Sequence, residues 1–257
     1  MSLIPPLSHY PMMQKKEISQ DNNPFPAVGG LSSLSTRSTT EPRQQNFEPY
    51  DRNGGSSVVV AGSDFCVVAA DTRIASGYEI FSRESTKIFP ITSTAVLTST
   101  GSKNDVDEFR RALEFDLKVY RYNHGKEMSV SSIAQLVSNK LYSRRMFPYY
   151  SFQLLAGLDS DGKGAAFGYD AIGSMERVKF EASGSGEEFL APFFDNMIGH
   201  QNREDEPIEL DVETVINIIK DGFVACGERD QYTGDAVEVL VITKDGMQRS
   251  TFNLKAD

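Results

Sequence analysis

The order of the predicted elements constrains this fold most: strands, two helices, strands, two helices and strands again. The first strands, residues 57–61 and 65–70, are apolar on both faces, so other layers must cover both sides of their sheet. Single helices between single strands would predict a parallel α/β sheet, whereas helix pairs between groups of strands favour stacked antiparallel sheets. The sequence therefore predicts an α+β fold, a four-layer αββα sandwich of two antiparallel sheets between helix pairs.

Apolar spacing and capping residues delimit the predicted helices. Ser102, with Asp105 three residues later, predicts an N-cap, and Gly125 predicts the end of that helix. A second helix begins near Ser129, a third covers 186–197 and a fourth starts at Asp211. The apolar residues at helical spacing in the first two are Val106, Phe109, Leu113, Leu117, Tyr120, Val130, Ile133, Val137 and Leu141. Further strands are predicted at 87–89, 95–97, 152–157, 164–169, 176–180, 236–243 and 247–254.

The first fifty residues differ in composition from the rest. Seven of the 11 prolines fall there, together with many Ser, Gln and Asn residues, and neither strand nor helix periodicity is present. Such a segment buries too little apolar surface to offset its chain entropy. We therefore expect residues 1–50 to form a disordered tail and residues 51–257 to form one domain.

Charge and composition exclude several function classes. A net charge of −10 disfavours nucleic-acid partners, because that affinity comes largely from Lys and Arg neutralising phosphates. Cys66 and Cys226 lie in apolar segments and are interpreted as reduced core residues. The three histidines predict neither a catalytic triad nor a metal site, and no cofactor is expected. The chain has no predicted signal peptide or membrane span, so we expect it in the cytoplasm and nucleus.

Several polar and glycine residues are candidates for a site. They comprise Gly54-Gly55-Ser56-Ser57, Asp71 with Arg73, Lys87, Gly101, and the segment 230–235. Each has an ordinary structural interpretation when taken alone, such as an ion pair at a strand end or a turn that leads into a helix.

Together these residues resemble the active-site framework of proteasome beta subunits, which are N-terminal-nucleophile hydrolases. In that family a Gly-Thr bond is cut autocatalytically, and the freed threonine attacks peptide carbonyls with its own amino group as base. Counted from Gly55, the residues Asp71, Arg73 and Lys87 occupy the seventeenth, nineteenth and thirty-third positions, which carry Asp, Arg and Lys in the family. The resemblance implies that Asp71 and Lys87 support the nucleophile electrostatically and that Arg73 buttresses the pocket. It also matches Gly101 to the oxyanion-site glycine, and it matches the remaining polar supports to Ser183, Asp230 and Thr233.

The family pattern breaks at its first position, where Gly55 replaces threonine and supplies no nucleophile. We therefore expect a vestigial framework in an inactive subunit of a threonine-type endopeptidase complex. The alternative is an active peptidase that uses Ser56 after cleavage at Gly55-Ser56. A shift of one residue along a strand turns the side chain to the opposite face, so we expect the Ser56 hydroxyl to point away from Lys87.

Other segments resemble one branch of the family, the non-catalytic subunit at the sixth position of the beta ring. They are residues 53–55, 144–150, 156–164 and 170–174, within a resemblance that covers residues 47–257. It implies proteasome alpha and beta subunits as partners and a propeptide-like role in assembly for residues 1–50. The candidate neighbour contacts are the outer helices and the loops 144–150 and 203–207. Because Arg and aromatic side chains are enriched in interfaces, the first loop is favoured, with Arg145, Phe147, Tyr149 and Tyr150 as its candidate residues. Since fold alone does not fix function, a free-standing binding or metabolic protein remains a rival interpretation.

Overall fold

The computed structural model describes residues 50–200, 203–204 and 210–255. The expected tail lies outside these residues except for Tyr50, and so does most of the loop 203–207. In chain order, the elements are β1 (Ser56–Ala61), β2 (Cys66–Asp71), β3 (Ile74–Ser76), β4 (Glu79–Ser82), β5 (Ile88–Pro90), β6 (Ala95–Gly101), α1 (Lys103–His124), α2 (Val130–Tyr142), β7 (Ser151–Leu158), β8 (Gly164–Tyr169), β9 (Met175–Val178), β10 (Phe180–Gly184), α3 (Glu187–Met197), α4 (Val212–Gly227), β11 (Ala236–Thr243) and β12 (Gly246–Asn253).

Two five-stranded antiparallel sheets form the centre of the domain. The first has the strand order β10-β1-β2-β11-β12 and the second the order β5-β6-β7-β8-β9, while β3 and β4 form a separate two-stranded sheet. Helices α3 and α4 pack on the first sheet, and α1 and α2 pack on the second. A third apolar cluster fills the space between the two sheets. This architecture confirms the predicted α+β four-layer αββα sandwich.

The helices begin, end and pack largely as their apolar spacing predicts. Val106, Phe109, Leu113 and Leu117 of α1 are buried, and Gly125 ends that helix in the left-handed conformation at φ 66°. The N-terminal turns of α2 and α4 have side-chain caps: the Ser129 hydroxyl accepts from the Ser132 amide, and the Asp211 carboxylate accepts from the Thr214 amide. None of the helices in the described ranges combines the length and apolar composition that crossing a bilayer requires.

The predicted N-cap position of α1 is confirmed, but the capping contacts come from elsewhere in the chain. Ser102 occupies the N-cap position, but its side chain makes no cap hydrogen bond. The Asn53 side chain instead accepts from the Lys103 amide at 2.7 Å. The Asp105 carboxylate accepts from the Tyr150 amide at 2.7 Å and so ties α1 to the segment before β7. Long-range contacts have therefore replaced the local cap.

The segment 176–180 is largely strand as predicted, but it belongs to two strands and not one, because the chain changes sheets at Lys179. Strand β9 ends at Val178 and pairs with β8, whereas β10 begins at Phe180 and pairs with β1. The Lys179 carbonyl accepts from the Ala61 amide, which marks the crossing to the first sheet. The β3–β4 hairpin is absent from the predicted elements, because strands of three and four residues are too short to show a sequence periodicity.

Candidate functional site

The candidate site lies where β1 begins, at Gly55. This residue has φ +94°, a conformation that L side chains rarely adopt. A Cβ added there would lie 2.6 Å from Lys87 Cε, 2.7 Å from Lys87 Nζ and 3.0 Å from Asp71 Oδ1. The missing side chain of residue 55 would thus point at the Lys87 ammonium. A cleft of about 410 Å³ opens beside it, lined by Arg52, Gly54, Gly55, Gly101, Tyr150, Phe152, Gly184, Ser185, Glu187 and Tyr232.

Lys87 and Asp71 form a buried ion pair next to this position. Lys87 Nζ donates to Asp71 Oδ1 at 2.8 Å, to the Asp71 carbonyl at 2.9 Å and to the Arg73 carbonyl at 2.6 Å. Asp71 Oδ1 also accepts from the Ser56 amide at 2.8 Å. Complete burial raises the pKa of Asp71 above its usual range, while the Lys87 ammonium acts in the opposite direction. The ammonium is therefore held by a carboxylate and two carbonyls, all of which only accept.

Arg73 is buried and is held by the segment that follows α4. Its Nε donates to Asp235 Oδ2 at 2.9 Å, and its NH1 donates to the Gln231 carbonyl at 3.0 Å. Arg83 contacts the same Asp235 carboxylate. Burial raises the pKa of Asp235, but hydrogen bonds from Arg73 and Arg83 outweigh it and hold that pKa below its usual range. Arg73 thus fixes the backbone that presents its carbonyl to Lys87.

Gly101 and Ser183 lie on the two sheets that flank this cleft. Gly101 has φ +110°, and a Cβ there would meet the Tyr150 carbonyl oxygen at 2.5 Å, so only glycine fits without a shift. The Ser183 hydroxyl lies 2.9 Å from Thr100 Oγ1 and joins β10 to β6 across the space between the sheets. Ser183 therefore bridges the sheets at this end of the sandwich.

A second polar cluster lies on the other side of Gly55, around Asp230. The Ser185 hydroxyl donates to Asp230 Oδ2 at 2.7 Å and accepts from the Gly55 amide at 3.0 Å. Thr233 Oγ1 donates to the same Asp230 oxygen at 2.6 Å. Ser185 is not among the predicted site residues, although Ser183-Gly184-Ser185-Gly186 contains two serines that are both able to support residue 55. The structure places Ser185, rather than Ser183, against Gly55.

The Ser56 hydroxyl belongs to this second cluster. It lies 2.6 Å from Thr233 Oγ1 and accepts from the Gly186 amide at 2.9 Å, at the start of α3. Only the backbone amide of Ser56 contacts Asp71. The Ser56 side chain therefore faces the α3 and α4 layer and not the Lys87 ammonium.

The candidate contact residues lie in the turn between α2 and β7. Arg145 is exposed and the Phe147 side chain is 57% exposed, whereas Tyr149 and Tyr150 are half-buried. Tyr149 packs edge-on against Phe109 of α1 with ring centroids 5.7 Å apart. Tyr149 thus has a place inside this chain, and Arg145 and Phe147 remain on the surface.

The two cysteines lie in the interior of the domain as free thiols. Cys66 and Cys226 are both free and buried, and burial raises the pKa of each thiol to about 11. Within residues 50–200, 203–204 and 210–255, no group of three or more His, Cys, Asp or Glu side chains comes together as metal ligands.

Comparison with known proteins gives one consistent family. A family model described as "Proteasome subunit" matches residues 51–242. Proteasome subunit beta type-1 of Arabidopsis thaliana is 42% identical over 217 residues, which cover 82% of this chain and 97% of the relative. The beta type-1 subunit of Danio rerio is 40% identical over 232 residues, covering 90% and 98% of the two chains. Proteasome subunit beta type-6 of Saccharomyces cerevisiae is 36% identical over 236 residues, covering 88% and 98%. Since the family model spans most of the chain and these relatives align over nearly their whole length, the chain belongs to the proteasome subunit family.

Proposed function

We propose that this chain is a non-catalytic structural subunit of the beta ring of the 20S proteasome core. The ring encloses the chamber that performs ATP- and ubiquitin-dependent protein degradation, and the partners of the chain are other proteasome alpha and beta subunits. In a closed ring with heterologous contacts, each subunit presents different faces to its two neighbours, so a missing member leaves the ring open. The contribution of this chain is therefore geometric.

One observation supports the proposal that this chain is non-catalytic: the residue that would face the Lys87 ammonium is Gly55, which has no side chain. A threonine Cβ in the same backbone conformation would lie 2.7 Å from Lys87 Nζ, closer than non-bonded atoms normally come. The left-handed φ of Gly55 adds strain for any other residue. The absence of a hydroxyl at position 55 supports the proposal that this chain has no threonine nucleophile.

The alternative, a peptidase using Ser56, has no support in the contacts of that side chain. Its hydroxyl is engaged by Thr233 and by the Gly186 amide, on the side away from Lys87. Cleavage at Gly55-Ser56 would free the Ser56 amino group as a base, so only the position of the hydroxyl weighs against this alternative. The hydroxyl does not face the Lys87 ammonium, which the family resemblance assigns to electrostatic support of the nucleophile.

Covalent labelling of the assembled core particle tests this proposal. A peptide epoxyketone, which forms a covalent adduct with an N-terminal hydroxyl nucleophile, is added, and each subunit is weighed by intact-mass spectrometry. We expect adducts on active sibling subunits and none on this chain. An adduct that disappears in Ser56→Ala would establish the alternative and overturn the non-catalytic assignment.

We further propose that residues 1–50 act as a propeptide during assembly and that active neighbours trim them upstream of Gly55. In this proposal, residues 51–257 form the domain that joins the ring. The Pro-rich, Ser-rich composition of the tail supports this proposal. Intact mass of the chain in mature particles should give an N-terminus between residues 40 and 55. A full-length chain in mature particles would rule the propeptide out.

We propose the turn that carries Arg145, Phe147, Tyr149 and Tyr150 as a contact with a neighbouring subunit. The support is chemical, since Arg145 and Phe147 are exposed and Arg and aromatic side chains are enriched in interfaces. The double variant Arg145→Ala, Phe147→Ala should reduce incorporation into particles, as measured by native mass spectrometry.

We also propose that the chain resides in the cytoplasm and nucleus, which imaging of a fluorescently tagged chain tests directly.

A further inference from the structure

We propose that the hairpin β3–β4, residues 74–84 and called the arm below, docks in an apolar cleft of a neighbouring beta subunit that is not a second copy of this chain. The arm leaves the domain after β2, and the chain returns to the sandwich at β5. Such a partner presupposes the proposed place of the chain in the beta ring.

The arm exposes three large apolar side chains. Tyr78 is 100% exposed, Phe81 62% and Ile80 39%. A Cβ added at Gly77 would meet no atom within 4 Å, so the tip projects away from the domain. None of the three apolar side chains belongs to an apolar cluster of the described residues. Exposed apolar groups that lie side by side in this way indicate a contact with another molecule.

The base of the arm is fixed to the domain. The Thr72 hydroxyl donates to the Arg83 carbonyl at 2.7 Å, and the Ser85 amide donates to the Thr72 carbonyl at 2.9 Å. The Arg83 guanidinium contacts the Asp235 carboxylate just before β11. A two-stranded hairpin is only marginally stable by itself, so these contacts set its orientation. An arm that is ordered in advance loses little conformational entropy on docking.

A cleft of about 590 Å³ lies at the other edge of the sandwich. It opens between α3 and the edge strands β9 and β10, whereas the arm joins β5 at the opposite edge of the second sheet. Its apolar lining includes Phe152, Leu154, Val178 and Phe180. Concave apolar sites of this kind take Tyr and Phe rings. Arm and cleft thus lie on different sides of one fold, as the two surfaces of a heterologous ring contact must.

The charges of the two surfaces disfavour a contact between two copies of this chain. The arm carries the exposed residues Glu79 and Glu84. Five carboxylates, and no Lys or Arg among the described residues, line the cleft of this chain, namely Asp170, Glu176, Glu181, Glu187 and Asp195. Like charges that face each other suppress wrong partners. The cleft that takes this arm therefore has an apolar floor and a neutral or basic rim, and it belongs to a different sibling.

Photo-crosslinking in assembled core particles tests the contact. Tyr78 is replaced by p-benzoyl-phenylalanine, and the crosslinked peptides are sequenced by mass spectrometry. We expect crosslinks to one sibling beta subunit, within the segment that aligns with residues 168–182 of this chain. The same replacement at Tyr122, which is 90% exposed on α1, is the matched control and should not reach that segment. Crosslinks from position 78 to an alpha subunit, to another copy of this chain or to no subunit would overturn the proposal.

Competition between variant and parent chains for incorporation tests the role of the two rings. The double variant Tyr78→Ala, Phe81→Ala should enter core particles about tenfold less than the parent, as counted by native mass spectrometry. Tyr78→Phe with Phe81→Leu keeps two large apolar side chains and should retain most of the incorporation. Urea-induced unfolding of the double Ala variant should match the parent, because both side chains are exposed. Equal incorporation of the double Ala variant and the parent would show that the arm is not a contact.

These outcomes are distinct from a failure of the proposed function. A parent chain that never enters core particles would contradict its place in the beta ring. A parent chain that is present in particles, but whose arm crosslinks elsewhere, would contradict only the docking of the arm.

Discussion

The apolar layer beneath α1 and α2 and the charged end of the sandwich at Lys87 are equally buried but are stabilised differently. Leu113 and Phe109 are fully buried among apolar neighbours, so their contribution follows the apolar area removed from water. Lys87 and Asp71 are as deeply buried, but each charge is tolerable only because the other is present. In the apolar layer, the free energy of unfolding should therefore fall when side-chain volume is removed. At the charged end, it should fall when one member of the ion pair is removed.

The largest loss of stability should come from removing the Lys87 charge from its ion pair with Asp71. Lys87→Met keeps the aliphatic stem but leaves the Asp71 carboxylate buried without its counter-charge. We expect the free energy of unfolding to fall by about 3–5 kcal/mol, as for other buried ion pairs broken on one side. Urea-induced unfolding of the purified full-length chain measures it.

A double variant decides whether pairing is the cause. In Lys87→Met with Asp71→Asn, the buried carboxylate is gone, while an amide oxygen can still accept from the Ser56 amide. The double variant should be more stable than Lys87→Met alone, which a double-mutant cycle expresses as a coupling energy. A double variant less stable than either single one would show that the carbonyl contacts of Lys87, and not the unpaired charge, set the cost.

The apolar layer provides the second prediction. Leu113→Ala removes a fully buried side chain beneath α1 and should lower the free energy of unfolding by about 2–5 kcal/mol through lost transfer energy and a cavity. Leu113→Met conserves volume and should cost less than about 1.5 kcal/mol. The same urea measurement applies. A similar cost for both variants would mean that shape rather than volume controls this layer.

The same contrast explains which parts of the structure can be predicted from the sequence and which cannot. Apolar spacing within α1 and α2, and local caps such as Ser129 and Gly125, depend on residues a few positions apart, and the structure has these elements where they were expected. The Asn53 contact with Lys103 joins residues far apart in the chain, and no local pattern indicates it. The structure alone distinguishes Ser183 from Ser185, because Ser183 lies in β10 while Ser185 lies in the turn that follows, and the path of that turn decides which serine reaches Gly55.

A smaller effect on stability should come from Glu181, a carboxylate whose charged neighbours, unlike the Lys87 partner of Asp71, are other carboxylates. Burial, together with smaller contributions from the carboxylates of Glu187 and Glu176, raises the pKa of Glu181 to about 7. Because this pKa lies above the unfolded value of 4.5, the folded chain binds the extra proton between about pH 4.5 and 7. The stabilisation is fully present below that window and is lost as pH rises through it, by about 1 kcal/mol once solvent screening is allowed for. Glu181→Gln should remove this component, so the difference in unfolding free energy between the two proteins should vary with pH across the window. A pH-independent difference would place the Glu181 carboxylate in a more hydrated setting than its neighbours imply.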